Sequence, residues 1–147
     1  MRITFAAALA AVSIAKVNPD AFKSFEEIVD ENGFTSETYT VATADGYNVS
    51  LYRIPGAKNE NNDTKKPAVL VVHAQDCDMM EWLWNDPDKA NALTLARAGY
   101  DVWLGNNRGN KYSATHQTLS KKDAAYWDFY QQDMAEKDLP AFIDTVL

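Results

Sequence analysis

With 147 residues the chain is long enough for one domain of ordinary size, and 46% hydrophobic residues, including four Trp, seven Tyr and six Phe, are enough for a real core and argue against disorder. A net charge of −7 excludes nucleic acid as a partner and disfavours docking on anionic lipid headgroups, since both need a basic surface. The single cysteine, Cys77, excludes an intrachain disulfide framework and reads as a small, partly buried residue. No metal cluster, phosphate loop or dinucleotide fingerprint is visible, so no cofactor is expected.

The first 15 residues differ from everything after them. Met1-Arg2 supplies a positive start, Ile3 to Ala15 is apolar and small, and Ser13-Ile14-Ala15 offers a small-x-small cleavage pattern. The composition predicts a secretory signal peptide over residues 1–15, too short for a spanning helix of about 20 residues. Nothing later in the chain is apolar enough to cross a membrane. Residues 16–147 then form one domain.

A helical segment is expected from Asn18-Pro19-Asp20 through Val29, with Phe22, Phe25, Ile28 and Val29 at helical spacing and Asn32-Gly33 as its stop. Glu37 to Ala42 and Tyr47 to Ile54 alternate apolar and polar residues around Ala44-Asp45-Gly46, which predicts a β-hairpin. Gly56 to Lys66 is polar and turn-rich, a surface loop. N-glycosylation sequons begin at Asn48 and Asn62; Asn62 falls in the loop, whereas Asn48 falls on a strand and is less accessible.

Pro67 to Asp76 follows. The apolar run Ala68 to Val72 ends abruptly in polar residues, the pattern of a strand buried on both faces of a parallel sheet. Ligands of open α/β sheets bind outside such carboxyl ends, so His73-Ala74-Gln75 is the first place to look for chemistry. Asp86-Pro87 is expected to cap and start a helix closed by Gly99, and Tyr100 to Leu104 is a second strand, completing a βαβ unit. Asp138 is expected to cap a last helix with Pro140 in its first turn and an apolar stripe of Leu139, Phe142, Ile143 and Val146. Met79, Trp82 and Trp84 follow the His73 loop and are candidates to line a lipid pocket, while Tyr126-Trp127 and Phe129-Tyr130 read as core or cap packing. Arg108 reads as a tie between loops rather than an anion anchor, and His116 as a hydrogen-bonding structural residue.

Two antiparallel strands followed by alternating parallel strands and helices describe the opening of an α/β-hydrolase sheet. Residues 18–147 also resemble the amino-terminal part of the acid lipase family, which includes gastric and lysosomal acid lipases and steryl ester hydrolases. The resemblance is carried by Asn32-Gly33-Phe34, by Thr43-Ala44-Asp45-Gly46-Tyr47 with Leu51-Tyr52-Arg53-Ile54-Pro55, and by Ala98 through Asn110. Tyr112-Ser113 with His116, Trp127-Asp128-Phe129, Met134-Ala135 and Asp138-Leu139-Pro140-Ala141 add to it.

The resemblance implies a partial α/β-hydrolase fold and hydrolysis of neutral lipid esters, triacylglycerol or sterol ester, at a lipid–water interface by a Ser-His-Asp triad. It implies that His73-Ala74-Gln75 is the oxyanion loop, with the Gln75 backbone N–H as donor and Ala74 where the family has Gly. It also implies a secreted or lysosomal protein of lipid catabolism. No Gly-x-Ser-x-Gly occurs in the sequence, and neither His73 nor His116 matches the catalytic histidine. The chain is therefore expected to be the amino-terminal portion of such a lipase, inactive alone. The alternative is a short non-catalytic relative that binds lipid or a partner. Without a strand beyond it, Val69 to Val72 would be an exposed apolar edge. The chain is expected to associate or be unstable in isolation, and a sharp, reversible unfolding transition of a monomer would contradict that.

Overall fold

The structure, a computed structural model, describes residues 19–60 and 65–147. The proposed signal peptide and the Asn62 sequon lie outside these residues.

Strand β4 (Asp101–Asn106) is the middle of the sheet, and all six of its residues are buried. It pairs antiparallel with β2 (Tyr47–Ile54) on one side and parallel with β3 (Ala68–Val72) on the other. β1 (Glu37–Ala42) completes the hairpin with β2, giving the order β1-β2-β4-β3, and the short β5 (Thr115–His116) pairs the start of β2 beyond the reach of β4. Antiparallel strands leading into a parallel βαβ unit are the mixed sheet expected of an α/β hydrolase. The first three strands have the expected bounds.

One expectation about β3 fails. The strand is not fully buried: Val71 packs on one core cluster and Leu70 and Val72 on the other, but Ala68 is exposed, Val69 to Val72 are only half-buried, and β3 has β4 on one side and no strand on the other among the described residues. An apolar run signals a parallel strand but cannot say how many neighbours cover it. The fully buried run is Asp101–Asn106. It extends two residues past the expected end, into Gly105-Asn106.

Successive residues of β4 face opposite layers, as the pleat requires. Val102 and Leu104 pack with Ile54, Phe25, Val29 and Leu93 on one face. Trp103 packs with Val49, Leu51, Tyr126 and Phe142 on the other. At one end of the sheet Arg53 holds both Asp101 oxygens at 2.8 and 2.9 Å and Glu37 at 2.9 Å, tying β1, β2 and β4 together.

The helices start later than expected, for local reasons. Pro19–Phe22 forms only a 3-10 turn, with Phe22 85% exposed, and α1 (Phe25–Glu31) begins after Ser24, whose capping box with Glu27 satisfies the first-turn donors. Asn32 and Gly33 (φ 82°) close it as expected. Asp86 does not cap a helix; its carbonyl accepts the Lys89 and Ala90 N–H groups in an isolated turn, and α2 (Asn91–Arg97) starts beyond it. Gly99 (φ 89°) ends α2, and the Tyr100 N–H returns to Leu95.

α4 (Leu139–Val146) lies across the sheet, with only Phe142 of its expected apolar stripe buried; Leu139 is 38% and Ile143 40% exposed. The Phe142 ring rests on Gly105, where an added Cβ would stand 2.9 Å from Cε2. Gly105→Ala is therefore expected to destabilise the fold by about 1–3 kcal/mol through overpacking. A urea midpoint that falls with an unchanged slope would report this.

Candidate functional site

At the carboxyl ends of β3 and β4 a cleft of about 1020 Å³ opens between the loop after β3, the loop after β4 and the segment leading into α4. This is where the alternation of strand and helix in open α/β sheets leaves room for a ligand.

The loop after β3 is held from several directions. His73 Nε2 accepts from the Asn107 N–H at 3.1 Å and lies 3.1 Å from Asn110 Nδ2, while Nδ1 lies 2.8 Å from the Ala74 carbonyl. Two donors on Nε2 assign the proton to Nδ1, so both nitrogens are engaged in positioning the loop. The Ala74 N–H donates to Glu81 at 2.8 Å, and the Cys77 N–H closes a turn onto the Ala74 carbonyl. The positive φ of this turn falls on Asp76 (59°), the only non-glycine residue with one among the described residues. Ala74 thus carries its Cβ without backbone strain.

Gln75 sits between these ties, exposed at the cleft, and its backbone N–H makes no hydrogen bond among the described residues. Its side-chain oxygen accepts from Gln131 Nε2 at 3.2 Å across the cleft. The Cys77 thiol is half-buried beside Glu81, whose hydrogen bond and charge hold its pKa above the usual thiol range.

The other wall hangs on Arg108, which is 3% exposed. Its Nε and Nη2 donate to Asp138 at 2.9 and 2.7 Å, its Nη1 and Nη2 to Asp45 at 2.6 and 2.9 Å, and its backbone N–H to Asp138 at 3.0 Å. The guanidinium stacks 4.0 Å from the Tyr47 ring centroid. Arg108 is the loop tie its sequence context suggested.

Asp138, by contrast, caps nothing. It is completely buried, in helical conformation, within a run that starts with α3 (Gln131–Asp133) and passes through a π-helical turn (Met134–Asp138) into α4. An Asp before Leu-Pro imitates a helix start, but the carboxylate is required by a cation 30 residues away in sequence.

The residues expected to line a lipid pocket lie elsewhere. Met79 is fully buried in the core and Trp82 packs against the same cluster. Trp84 is 60% exposed over a separate, smaller groove. The 3-10 turn Met79–Leu83 packs against α2, and none of the three residues lines the cleft. The cleft wall is instead built by Trp127, Phe129, Tyr130, Met134 and Leu139. Of the expected aromatic core group only Tyr126 is buried. Its neighbours' exposure was not legible because aromatic spacing alone does not tell core from cleft.

His116 is structural, as expected: Nδ1 accepts the Thr118 and Leu119 N–H groups at 3.0 and 3.1 Å and Nε2 meets the Asp45 carbonyl at 3.0 Å. Asn48 is half-buried on β2, and its Nδ2 donates to Thr115 at 3.3 Å. No helix among the described residues is long and apolar enough to cross a membrane.

A family model described as a partial alpha/beta-hydrolase lipase region matches residues 25–86. Lipase member N of Mus musculus is 42% identical over 133 residues, covering 90% of this chain and 33% of the relative. Human lysosomal acid lipase/cholesteryl ester hydrolase is 41% identical over 135 residues, covering 91% of this chain and 34% of its own length. Gastric triacylglycerol lipase of Mus musculus is 40% identical over 131 residues, 88% of this chain and 33% of the relative. The chain spans about a third of the length of these curated relatives. Among solved structures, a hypothetical protein from Pseudomonas aeruginosa shares the fold, with a TM-score of 0.50 at 16% identity over 78% of this chain and 30% of that one.

The Arg108 cluster yields two expectations. Asp138→Ala leaves a buried guanidinium short of a partner and is expected to cost about 3–5 kcal/mol in chemical denaturation. Asp45 has partial burial acting to raise its pKa, yet the hydrogen bonds and charge of Arg108, with Thr43, hold it well below the usual carboxylate range. A folded pKa below the unfolded one contributes stability that is complete above pH ~3.9 and is lost as pH falls further, toward the folded value. Asp45→Asn is therefore expected to flatten the acid limb of the stability–pH curve, measured by thermal unfolding from pH 6 downward.

Proposed function

The chain belongs to the acid lipase family of α/β-hydrolases, whose amino-terminal lipase region it carries, and on that premise we propose that the cleft is the oxyanion side of a carboxylic ester hydrolase site. The substrate class is a neutral lipid ester, triacylglycerol or sterol ester, taken from a lipid–water interface. The printed names of the relatives, a cholesteryl ester hydrolase and a triacylglycerol lipase, support that class. The words lysosomal and gastric in those names support a secretory-pathway protein, secreted or lysosomal, acting in lipid breakdown.

The observation that carries the reading is Gln75, which lines the cleft at the carboxyl end of a parallel strand and whose N–H has no partner among the described residues. When a nucleophile adds to an ester, negative charge collects on the carbonyl oxygen, and a fixed N–H aimed there lowers the barrier. Glu81 holds the Ala74 N–H, and His73 Nδ1 and the Cys77 N–H hold the Ala74 carbonyl, which shares a peptide unit with the Gln75 N–H, so little reorganisation is needed. The second donor of such a site is the N–H after the nucleophile. These 147 residues contain no Gly-x-Ser-x-Gly to supply it. We therefore assign the chain the donor loop and the cleft wall, and expect no ester turnover from it alone.

A chimera tests this directly. Residues 19–147 would replace the matching third of human lysosomal acid lipase, and hydrolysis of a long-chain ester would be followed. Gln75→Pro, which removes the N–H, is expected to lower kcat about 10²–10³-fold. Gln75→Ala, which keeps it, should stay within about threefold. Equal rates for the two in a folded chimera would rule out the donor role, as turnover by the unfused chain would rule out the division of labour.

A further inference from the structure

The loops after β3 and β4 are joined by a chain of hydrogen bonds whose direction is fixed at every link. Asn106 is fully buried, and its Oδ1 accepts the Met79 N–H at 3.1 Å and Asn110 Nδ2 at 2.9 Å. Its own Nδ2 has no acceptor among the described residues, yet turning the amide over would set donor against donor at both contacts. Asn110 is fixed in the same way. Its Oδ1 accepts the Tyr112 and Ser113 N–H groups at 2.9 and 3.0 Å, which leaves its Nδ2 to face Asn106 and, at 3.1 Å, His73 Nε2. The Asn107 N–H points at Nε2 as well. Nε2 meets donors alone, so the proton of His73 stands on Nδ1, 2.8 Å from the Ala74 carbonyl.

That carbonyl and the Gln75 N–H belong to one peptide unit. Hydrogen bonds accepted by the carbonyl, here from His73 Nδ1 and the Cys77 N–H, draw electron density toward oxygen and make the N–H a stronger donor. The tautomer of His73 therefore matters to a group that the ring does not touch. With the proton on Nε2 instead, Nδ1 would turn a lone pair on the carbonyl, and the peptide would lose one of the two bonds that hold and polarise it. His116 supplies a contrast within the same chain. Its Nδ1 accepts the Thr118 and Leu119 N–H groups, so its proton stands on Nε2, toward the Asp45 carbonyl. The two histidines of the chain carry opposite tautomers.

We propose that Asn110 is a positioning residue: its Nδ2 keeps the proton of His73 on Nδ1, and that proton orients and polarises the peptide whose N–H, at Gln75, meets the ester oxygen. The last link rests on the reading of Gln75 given above, whereas the tautomer does not. Asn107 acts on His73 through its backbone, but Asn110 acts through a side chain, and a carboxylate of the same shape reverses its contact.

Long-range proton–nitrogen correlation spectra of the chain, labelled at histidine, read both tautomers directly. His73 is expected as Nδ1–H and His116 as Nε2–H. Asn110→Asp puts an acceptor where the donor was and should move the His73 proton to Nε2, with His116 unchanged and reporting that the fold is intact. An Nε2–H form of His73 in the unsubstituted chain would overturn the proposal, as would an Asn110→Asp chain in which Nε2 stays bare. In the lipase chimera described above, Asn110→Asp is expected to lower kcat about 10–10²-fold by misplacing the donor. KM should stay unchanged, as for a group that acts only in the transition state. Full kcat there, beside an impaired Gln75→Pro chimera, would overturn the link from His73 to Gln75. Equal rates for Gln75→Pro and Gln75→Ala would instead remove Gln75 as the donor and leave the hold of Asn110 on His73 standing.

Discussion

A guanidinium taken out of water must bring its counter-charges with it, and Arg108 does so from three parts of the chain. Asp45 comes from the turn of the β1–β2 hairpin, Asp138 from the π-helical turn, and Arg108 itself from the loop after β4. Lys137 adds a second contact to Asp45 at 3.4 Å and joins Asp133 at 2.7 Å. Desolvating these charges costs far more than an exposed ion pair could return. The cluster is thus weak as a source of net stability and strong as a specification of geometry, since moving any one member strands the others. The position of the whole back wall of the cleft follows from it, and with it the distance between that wall and the His73 loop.

How much of this could be read from residues alone depended on whether the cause was local. Alternation of apolar and polar residues set the bounds of β1 and β2, because the pleat acts over two residues and a one-residue slip would expose the core face. Gly33 and Gly99 ended their helices where expected because a positive φ is a property of one residue. Ser24 and Glu27 spell a capping box, but Asn18-Pro19-Asp20 offers a competing helix start just before it. Other features had causes lying far off in sequence. Asp138 imitates a helix cap, and only Arg108 reveals it as a counter-ion. Met79 and Trp82 follow the His73 loop closely, yet a single 3-10 turn sends Met79 into the core and packs Trp82 against it. The apolar run of β3 looked central because hydrophobicity reports burial of a strand's faces and says nothing of its lateral neighbours.

The loop after β3 combines rigidity with one open donor. Two of its polar groups are engaged by three residues from outside the loop: His73 Nε2 by Asn107 and Asn110, and the Ala74 N–H by Glu81. The strain of the turn is confined to Asp76. An aspartate tolerates the left-handed region better than most residues, so the loop keeps its side chains where a more glycine-rich version would trade them for freedom. The unpartnered Gln75 N–H is therefore held in place by its neighbours and not by a contact of its own.

Strand β2 has a different kind of constraint. Along one edge it is flanked by β1 from Glu37↔Arg53 to Ala42↔Asn48, and along the other it changes partner, from β4 at Ser50–Ile54 to β5 at Tyr47-Asn48. Three strands are thus registered against eight consecutive residues. Gain or loss of one residue there would rotate the remaining side chains to the opposite face and break pairings on both edges at once. A change in chain length is therefore less tolerable at 47–54 than at 56–60, which is held by the Phe34–Ala57 bridge, the Thr35-to-Gly56 and Lys58-to-Gly33 backbone bonds and a few side-chain ties, and by no strand pairing. The sheet keeps its own ruler, and β2 is the scale on it.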